Sequence, residues 1–262
     1  MKVSLITATY NCDSTVVNCL ASIAQQTYGD IEHIVIDGGS TDKTLDILLK
    51  HQSQLALVLS EKDRGIYDAL NKGIQRASGD IIGVLHSDDF FEDENVIANV
   101  VDIFKKNSKM PMVIGSVKYV DNHNTEKVIR FYSSKKFRVW MLRFGFIPAH
   151  TATFIRKDVY ERIGLYNIKY ASAGDFEFFI RAFWLYEIPF LVINQVLVRM
   201  RIGGLSSSGV KSYWRSSIEI LSALNECKIY SNFLFILIRL PIKKIYQLIF
   251  LVRNSKFFNY FQ

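Results

Sequence analysis

The sequence predicts an α/β protein built on a parallel β-sheet, and two observations lead to this prediction. Between residues 1 and 92, four apolar segments typical of buried strands alternate with segments whose apolar residues recur at helical spacing. Polar and acidic residues collect directly after each predicted strand. Because successive parallel strands are joined by right-handed crossovers, these loops should meet at one edge of the sheet, where open α/β sheets bind ligands.

Length and composition indicate one large domain, alone or with an appendage. The chain has 262 residues, of which 49% are apolar, enough to bury a sizeable core. The three cysteines, Cys12, Cys19 and Cys227, are odd in number and unclustered, which argues against a disulfide framework and against a zinc site. The N-terminus enters a strand at once and lacks the features of a signal peptide, so we expect a cytoplasmic protein.

Positive charge is concentrated near the C-terminus. The net charge is +7, and from Val210 onward eight Lys or Arg residues stand against two Glu residues. Because the rest of the chain is near neutral, we expect no general nucleic-acid-binding surface.

The first half of the chain contains four predicted strands, each followed by a polar loop. We expect strands at residues 2–9, 31–36, 55–59 and 81–85, and helices after the turn at 11–13, through 45–49 and from about 66 to 77. The polar loops lie at 7–11, 37–42, 61–68 and 87–89. The fold rule therefore brings four distant stretches of sequence to one site.

Two neighbouring carboxylates, Asp88 and Asp89, follow the fourth strand. Neighbouring carboxylates repel unless they share a cation, which favours a hard divalent ion, Mg²⁺ or Mn²⁺, carrying a phosphate-bearing substrate. Taken alone, the pair fits a helix N-cap equally well, with Asp89 capping a helix that begins near Phe90. The chain has neither a GxGxxG after its first strand nor a GxxxxGK[ST], and Arg64 is the obvious anion partner near the loops. Phosphates would then need a metal, which favours the ligand interpretation.

In the second half of the chain, the sequence predicts a helix from about Asp93 to Lys105, followed by strands that pair antiparallel. Residues 112–120 and 127–132 flank a turn at 121–124 and predict a hairpin. Pro148-Ala149-His150 opens another strand, and a short helix near Asp158 ends at Gly164. A last helix from about Asp175 to Tyr186 carries Asp175 in its first turn, where capping is the ordinary explanation for an Asp.

The last fifty residues predict an amphipathic helical tail. Its apolar runs are interrupted by Arg239, Pro241 and Lys243-Lys244, and none reaches the roughly 20 residues that span a bilayer. On a helical projection, one narrow face carries Lys228, Asn232, Arg239, Lys243, Gln247, Arg253 and Asn254. This basic stripe favours binding in the plane of an anionic membrane. The alternative is a helix pair that docks on the domain or on a second subunit, as in a homodimer, and Pro241 would kink the helix in either case.

Several stretches together resemble the family 2 glycosyltransferases, inverting enzymes of the GT-A fold that use nucleotide-sugar donors. In family order over about residues 1–205, they are Thr7-Ala8-Thr9-Tyr10-Asn11, Asp37-Gly38-Gly39-Ser40-Thr41-Asp42, Asp63-Arg64-Gly65-Ile66-Tyr67-Asp68-Ala69, Asn71-Lys72-Gly73, Ser87-Asp88-Asp89 and the Asp175 helix. The segment GIYDALNKG and Pro148-Ala149-His150 look like the bacterial polysaccharide-assembly branch of the family.

The resemblance implies a role for each matching residue. Thr7 and Tyr10 would line the base pocket, Asp37 would contact the pyrimidine, usually uracil, and Arg64 would approach the base or the diphosphate. Asp88 would contact the ribose or its neighbourhood, Asp89 would bind the Mn²⁺ or Mg²⁺ that bridges the phosphates, and Asp175 would be the general base. The chemistry supports two carboxylates with separate roles. A sugar hydroxyl is a poor nucleophile, so one carboxylate accepts its proton. A diphosphate leaves well only when its charge is neutralised, so the other carboxylate binds the cation that neutralises it.

Some positions leave alternatives open. Many relatives carry an acidic residue where this chain has Gly174, so Glu177 is a second candidate for the base. His150 would contact acceptor or metal, or be a strand-end histidine bonded to backbone. Arg199 and Arg201 would meet phosphate or face solvent. Residues 203–208 resemble the loop that closes over the donor in this family, although composition alone predicts a flexible connection.

The sequence therefore predicts a GT-A domain, a Rossmann-like nucleotide-binding mixed sheet flanked by helices, over residues 1–209. Its nucleotide-sugar half is 1–92 and its acceptor half is 93–209, and the amphipathic helical appendage is 210–262. We expect transfer of a hexose from UDP-glucose or UDP-galactose to a lipid-diphosphate-linked glycan in lipopolysaccharide O-antigen or capsule biosynthesis, by a peripheral protein on the inner face of the plasma membrane.

Two other functions fit parts of the sequence. The first is a sugar-phosphate nucleotidylyltransferase, but the loop at residues 10–13 lacks the Gly-rich, basic character that binds a triphosphate. The second is a non-catalytic nucleotide- or glycan-binding module at the membrane, for which Gly174 leaves some room.

Overall fold

The structure is a computed structural model that describes residues 1–203, 209–239, 241, 242 and 245. The strands of its sheet are β1 (Val3–Thr9), β2 (Ile31–Asp37), β3 (Leu57–Ser60), β4 (Ile81–Val84), β5 (Phe90–Phe91), β6 (Met112–Val120), β7 (Val128–Tyr132), β8 (Thr153–Arg156) and β9 (Leu191–Arg201). The α-helices are α1 (Val16–Ala24), α2 (Thr44–Lys50), α3 (Ile66–Arg76), α4 (Val96–Lys106), α5 (Lys157–Ile163), α6 (Gly174–Ile180), α7 (Gly209–Glu226) and α8 (Phe233–Leu237).

The first four strands form the parallel half of the sheet, as the alternation of strands and helices predicts. They lie in the order β3-β2-β1-β4, and β1 pairs in parallel with both β2 and β4. All seven residues of β1 are buried, which is typical of a central parallel strand covered on both faces. The register places Thr9 beside Asp37, so the loops that follow β1 and β2 begin side by side.

The second half of the chain extends the sheet with mixed pairing. Strand β8 runs antiparallel to β4 and β6, while β9 runs parallel to β6. The predicted hairpin is confirmed, since β6 and β7 pair antiparallel. The strand expected to open at Pro148 begins later, because residues His150–Ala152 form a 3₁₀ turn before β8. The result is the expected mixed sheet flanked by helices.

The segment after Asp89 differs from the sequence-based expectation. Phe90 and Phe91 form the short strand β5, which pairs antiparallel with β9 through Arg199 and Val198. The following helix begins only at Val96. The expectation that Asp89 caps a helix starting near Phe90 is therefore wrong, because this segment completes a sheet edge.

Apolar residues of β1 alternate between two cores on opposite faces of the sheet. Ile6 packs in a core with residues of α3 and α6, whereas Leu5 packs in a core with residues of α1 and α4. Helix α3 lies so close to β1 that a Cβ atom added at Gly73 would overlap the side chain of Ile6. This close packing fixes the N-terminal turn of α3, which carries Tyr67.

The described part of the C-terminal tail packs on the rest of the molecule. Ile220 and Leu224 of α7 and Ile236 of α8 are buried in the core that contains α3 and α6. The tail is not one continuous helix, because Lys228 adopts a left-handed φ of 56° between α7 and α8. Asn232 is the N-cap of α8, with its side chain accepting a hydrogen bond from the backbone of Phe235.

The structure corrects the prediction that one face of a helical tail carries a basic stripe. Lys228 and Asn232 lie outside the helices, and Arg239 is buried with only 5% of its surface exposed. The stripe positions Lys243, Gln247, Arg253 and Asn254 lie outside the described residues, as do residues 204–208 of the predicted closing loop. Within the described ranges, no helix combines the length and the apolar character needed to cross a membrane.

Candidate active site

Asp37 at the end of β2 organises the loops around it. Its carboxylate accepts hydrogen bonds from the hydroxyls of Thr9 (3.1 Å), Ser40 (2.5 Å) and Ser60 (2.6 Å) and from the backbone N–H groups of Gly39 (3.2 Å) and Ser40 (3.0 Å). Burial alone would raise the pKa of Asp37, but these hydrogen bonds outweigh it and hold the pKa below its ordinary value. The expectation that Asp37 contacts a pyrimidine is corrected, because the side chain is fully buried and its oxygens are already used.

Thr7 also lies deeper than the resemblance implied. It is fully buried in β1, and its hydroxyl lies 3.0 Å from Nε2 of His33. A side chain in this position cannot line a base pocket at the surface. Thr9, two residues further along the same face of β1, is the threonine that reaches the loop cluster through Asp37.

Tyr10, Gly38 and Asp63 form an open surface at the loop ends of β1, β2 and β3. The Tyr10 side chain is exposed, with 63% of the residue accessible. A Cβ atom at Gly38 would lie 2.5 Å from Oδ2 of Asp63 and 3.4 Å from the Tyr10 ring, so only glycine leaves these two groups in place. Arg64 lies next to them with 74% of its side chain exposed and a 3.4 Å contact to Asp68. We had not singled out Asp63 from the sequence, although its loop was part of the predicted site.

Asp89 lies at the bottom of the turn that follows β4. Its backbone N–H donates to the carbonyl of His86 (3.0 Å), and the residue is 1% exposed. Oδ2 of Asp89 is buried and has no hydrogen-bond partner among the described residues. Burial and then the neighbouring charge of Asp88 raise the pKa of Asp89 well above its ordinary value, although the backbone and the charge of Arg201 oppose this.

The residues around Asp89 fit a divalent cation shared with a substrate. Besides the free oxygen of Asp89, the ring atom Nδ1 of His86 is buried without a partner in the described part of the chain. The described residues contain no cluster of three or more acidic, His or Cys side chains arranged for a metal. Mg²⁺ and Mn²⁺ at phosphate sites commonly use one or two carboxylates and take their other oxygens from water and phosphate, so this donor set fits such an ion.

Asp175 lies in the first turn of α6 at the same edge of the molecule. Oδ1 of Asp175 accepts hydrogen bonds from the hydroxyl of Tyr67 (3.0 Å) and from the backbone N–H of Phe176 (2.8 Å). Burial raises the pKa of Asp175, and the hydrogen bonds from Tyr67 and Phe176 partly oppose it. The N-cap of α6 is Ala173, so capping does not explain Asp175.

Gly174 allows Tyr67 to approach Asp175. A Cβ atom at position 174 would lie 2.8 Å from three carbons of the Tyr67 ring, closer than real side chains tolerate. The departure from the family pattern therefore has a local cause, because the aromatic ring occupies the space that a side chain at 174 would need.

The loop before α6 is held by Glu219 of α7. The carboxylate of Glu219 accepts hydrogen bonds from the backbone N–H groups of Ala171 (3.3 Å), Ser172 (2.8 Å) and Ala173 (3.0 Å), and from the Ser172 hydroxyl (3.0 Å). A carboxylate at this position accepts hydrogen bonds from backbone N–H groups at the start of α6. Its negative charge also interacts favourably with the positive end of the α6 helix dipole. We did not predict this role, because the partners are more than 40 residues apart in the sequence.

Glu177 is not available as a second base. Its carboxylate forms a two-point ion pair with Arg181, with N–O distances of 2.7 and 2.9 Å. The same guanidinium donates to the backbone carbonyls of Ile163 and Leu165. Glu177 therefore holds α6 to the end of α5, which corrects the expectation that it replaces Asp175.

Two histidines, His86 and His150, lie next to one another near Asp175. The rings of His86 and His150 are 5.9 Å apart, and Nε2 of His150 shares a 2.7 Å hydrogen bond with the Tyr166 hydroxyl. This bond corrects the alternative in which His150 bonds to backbone. Burial lowers the pKa of His150 to about 3, and burial also lowers the pKa of His86 while the charges of Asp88 and Asp175 oppose it. Both rings are therefore neutral near pH 7.

Arg199 and Arg201 of β9 do not face open solvent. Arg199 pairs with Glu92 (3.0 Å) and Glu126 (3.1 Å), so its charge is already balanced. Arg201 is 9% exposed, lies over the Phe90 ring and donates to the Asn122 carbonyl, while its Nε has no partner among the described residues. Arg201 is therefore the arginine that remains available beside Asp89.

Comparisons with known proteins agree on one family. Residues 4–164 match the family described as Glycosyl transferase family 2. The chain is 32% identical over 212 residues to the PGL/p-HBAD biosynthesis glycosyltransferase of Mycobacterium bovis (strain BCG), a match that covers 78% of this chain and 79% of that protein.

Solved structures share the fold. S. aureus TarS 1–349 in complex with UDP-GlcNAc has a TM-score of 0.66 and 20% identity, covering 86% of this chain and 66% of that chain. The mannosyltransferase PcManGT from Pyrobaculum calidifontis, in complex with GDP-Man and Mn²⁺, has a TM-score of 0.62 and 18% identity, covering 86% of this chain and 64% of that chain. This chain therefore spans slightly less than two thirds of each of these structures.

Proposed function

The chain belongs to glycosyl transferase family 2, with the GT-A-like fold that the sequence predicts, and from this we propose that it is a metal-dependent, inverting hexosyltransferase. The proposed donor is a UDP-sugar, UDP-glucose or UDP-galactose. The proposed acceptor is a lipid-diphosphate-linked glycan in lipopolysaccharide O-antigen or capsule biosynthesis. The bound nucleotide sugars of TarS and PcManGT support a nucleotide-sugar donor.

One observation carries the proposal: two carboxylates, the buried Asp89 and the half-buried Asp175, have different surroundings. Oδ2 of Asp89 has no hydrogen-bond partner among the described residues, which suits a cation ligand. Asp175 is held by a hydroxyl and a backbone N–H and borders a cavity. The charges of Asp88 and Asp175 both act on His86. We propose that Asp89 serves the leaving group and Asp175 serves the nucleophile.

In the proposed reaction, Asp175 and Asp89 each have one role. Asp175 accepts the proton of the acceptor hydroxyl while that oxygen attacks the anomeric carbon from the face opposite the diphosphate. The new C–O bond forms as the bond to the diphosphate oxygen breaks, so the nucleoside diphosphate leaves with the bonding electrons and the configuration inverts. A divalent cation held by Asp89 supplies charge neutralisation for the leaving group. The raised pKa of Asp175 makes its ionised form a stronger base for this proton transfer.

The open surface near β1, β2 and β3 supports the donor assignment. The exposed Tyr10 ring offers a flat face on which a base can stack, and Asp63 lies beside it. The exposed guanidinium of Arg64 is free to approach a phosphate. We propose that Asp88, at the surface above Asp89, contacts the ribose.

The outer face of the tail supports peripheral attachment to the inner membrane surface. Trp214, Tyr230, Leu234 and Ile238 are 45–75% exposed although they are large and apolar. Exposed cations lie near them in the sequence, including Lys211, Arg215 and Lys228. Apolar side chains bordered by cations are typical of proteins that bind anionic bilayers. The alternative is a homodimer that covers this face, and in that case a membrane-binding assay should show no binding to vesicles.

Replacement of the two carboxylates tests the reaction. We expect Asp89→Ala and Asp175→Asn each to lower transfer from a UDP-sugar by at least about 100-fold, because the first variant would lose the ligand of the cation and the second would lose the positioned base. Asp102→Asn, an exposed Asp of α4, is the matched control and should transfer normally. Titration of UDP with and without Mn²⁺ should show that Asp89→Ala loses metal-dependent binding. Full activity of both carboxylate variants would reject the assignment.

A screen of UDP-sugars for slow donor hydrolysis identifies the donor. We expect hydrolysis of UDP-glucose or UDP-galactose to exceed that of the N-acetylated sugars. Metal-dependent UDP binding without hydrolysis or transfer of any donor would instead favour a non-catalytic binding module.

A further inference from the structure

A cavity of about 160 Å³ lies where α7 and the end of the tail cover the start of α6. Its wall includes Asp175 and Ser172 on the α6 side, Tyr132 and Phe146 from the acceptor half, and Ser216 and Arg239 from the tail. The cavity is therefore built jointly by the sheet domain and the C-terminal helices. Any molecule that enters it comes close to the proposed base.

Arg239 is the cation in this wall, and it is 5% exposed. Its Nη2 donates to the hydroxyl of Ser217 (2.9 Å), its Nε donates to the hydroxyl of Tyr213 (3.4 Å), and its guanidinium lies 4.8 Å from the centre of the Tyr213 ring. These partners are all neutral. They hold the side chain in one orientation without balancing its charge.

No carboxylate compensates Arg239 in the described part of the chain, where every ion pair involves other residues. The sequence adds a second constraint, because neither residues 204–208 nor the chain after Glu226 contain an Asp or a Glu. A buried cation without a counter-ion is unfavourable by several kcal/mol unless an anion reaches it. The cavity is the route by which an anion from outside the chain would do so.

We propose that this cavity binds the acceptor and that Arg239 binds a phosphate group of it. The inference rests on the proposed role of Asp175 as the base, because an acceptor with a hydroxyl at Asp175 would extend towards Arg239. A phosphate-linked glycan has both groups, the hydroxyl and the anion. Guanidinium is well suited to the anion, since its fork of N–H groups makes charge-assisted bonds to phosphate oxygens.

The neighbouring surface extends the same assignment to a lipid. Tyr230 and Leu234, on or next to α8, are 70% and 75% exposed. Arg239 lies two residues after the end of α8, so we expect a chain attached to the bound phosphate to leave the cavity beside this apolar surface. The donor phosphates belong to a different place, near Asp89 and Arg201, which share no contact with Tyr213 or Ser217 in the described structure.

Binding of geranyl diphosphate, a soluble prenyl diphosphate without sugar, tests the site directly. The titration is done by calorimetry with UDP and Mn²⁺ at saturation, so that the donor site is filled. We expect Arg239→Gln to weaken binding at least tenfold, since a hydrogen bond to a charged group contributes about 1.5–3 kcal/mol. Arg239→Lys keeps the charge and should bind between the two. Arg76→Gln, the same charge change at an exposed position of α3, should bind as the unaltered protein does.

Kinetics with two acceptors separate this inference from the proposed function. The acceptors are a sugar linked to a prenyl diphosphate and the same sugar as a neutral alkyl glycoside of equal chain length. We expect Arg239→Gln to reduce the preference for the phosphate-bearing acceptor at least tenfold. Equal geranyl diphosphate binding by Arg239→Gln and Arg76→Gln, or an unchanged preference, overturns the phosphate site. If the unaltered protein neither hydrolyses nor transfers the sugar of any donor, the proposed function is refuted. The binding titration still decides the role of Arg239 in that case.

Discussion

At the scale of single residues, Tyr67 and Gly174 determine the environment of Asp175. The Tyr67 hydroxyl donates to Asp175, and its ring fills the space beside the bare backbone of Gly174. Burial raises the pKa of Asp175, while Tyr67, the Phe176 N–H and nearby His86 lower it. The proposed base is therefore tuned by two opposing effects, of which the hydrogen bond from Tyr67 can be removed by a single mutation.

Removal of the Tyr67 hydroxyl tests this tuning through the pH profile. Asp175 acts as a base when ionised, so kcat/KM falls as the pH drops through its pKa. Tyr67→Phe deletes a bond to the ionised form, and we expect the acidic limb to move upward by about one pH unit. Tyr160→Phe is the control, because the Tyr160 hydroxyl is buried but contacts Tyr166 instead. An unmoved limb, or an equal shift in both variants, would show that Tyr67 is only structural.

Residue roles were the part of the site least accessible from the sequence. Asp175 came from the family resemblance, whereas the alternation of strands and helices correctly brought together the loops that follow β1 to β4, because parallel crossovers fix which loops meet. It could not assign Thr7 or Asp37, since strand periodicity gives the face of a side chain but not the depth or the number of hydrogen bonds it receives.

At the scale of elements, α7 belongs to the site as much as α6 does. Its Glu219 carboxylate holds the three backbone N–H groups that precede Asp175, and its Ile220 packs in the core beneath them. The helix therefore fixes the loop that carries the proposed base. This role belongs to a segment that sequence reasoning assigned to an appendage.

Loss of the Glu219 carboxylate should destabilise the protein and misplace the base. Glu219→Ala leaves several partly buried donors unpaired, and we expect a loss of about 1–3 kcal/mol in the free energy of unfolding together with a lower kcat. Glu226→Ala on the same helix removes an exposed pair with Lys169 and should change stability by less than about 1 kcal/mol. Urea unfolding and steady-state kinetics measure both effects. Equal behaviour of the two variants would contradict the role given to Glu219.

Helices and strands were predictable from the sequence where a short stretch of residues determines them. Strands β1 to β4 and helix α3 follow from periodicity over short windows, and their predicted bounds agree with the structure to within a few residues. Strand β5 was missed because its two residues are strands only through pairing with β9, more than 100 positions later. The break between α7 and α8 was missed because the helical projection assumed continuity through Lys228, whose left-handed φ interrupts it.

At the scale of the whole molecule, one face carries the site and another carries exposed apolar groups, and the tail links them. The inner side of α7 and α8 packs on the core, while Leu234 and Ile238 point away from it. This division explains why the tail is apolar almost all round, since one side is needed for folding and the other is left for a partner. A membrane partner would bring a lipid-linked acceptor to the cavity at Asp175 without a separate capture step.

Binding to vesicles tests the membrane partner. We expect the protein to co-sediment with vesicles containing phosphatidylglycerol and to bind less at high salt, because cations border the apolar face. Leu234→Gln should weaken binding by about tenfold or more, since burial of a leucine side chain contributes roughly 1.5–3 kcal/mol. Leu49→Gln is the matched control, because Leu49 is 51% exposed and lies on α2 in the first half of the chain. Equal binding by both variants would remove the membrane assignment, and a concentration-dependent dimer sensitive only to Leu234→Gln would assign the face to a second subunit.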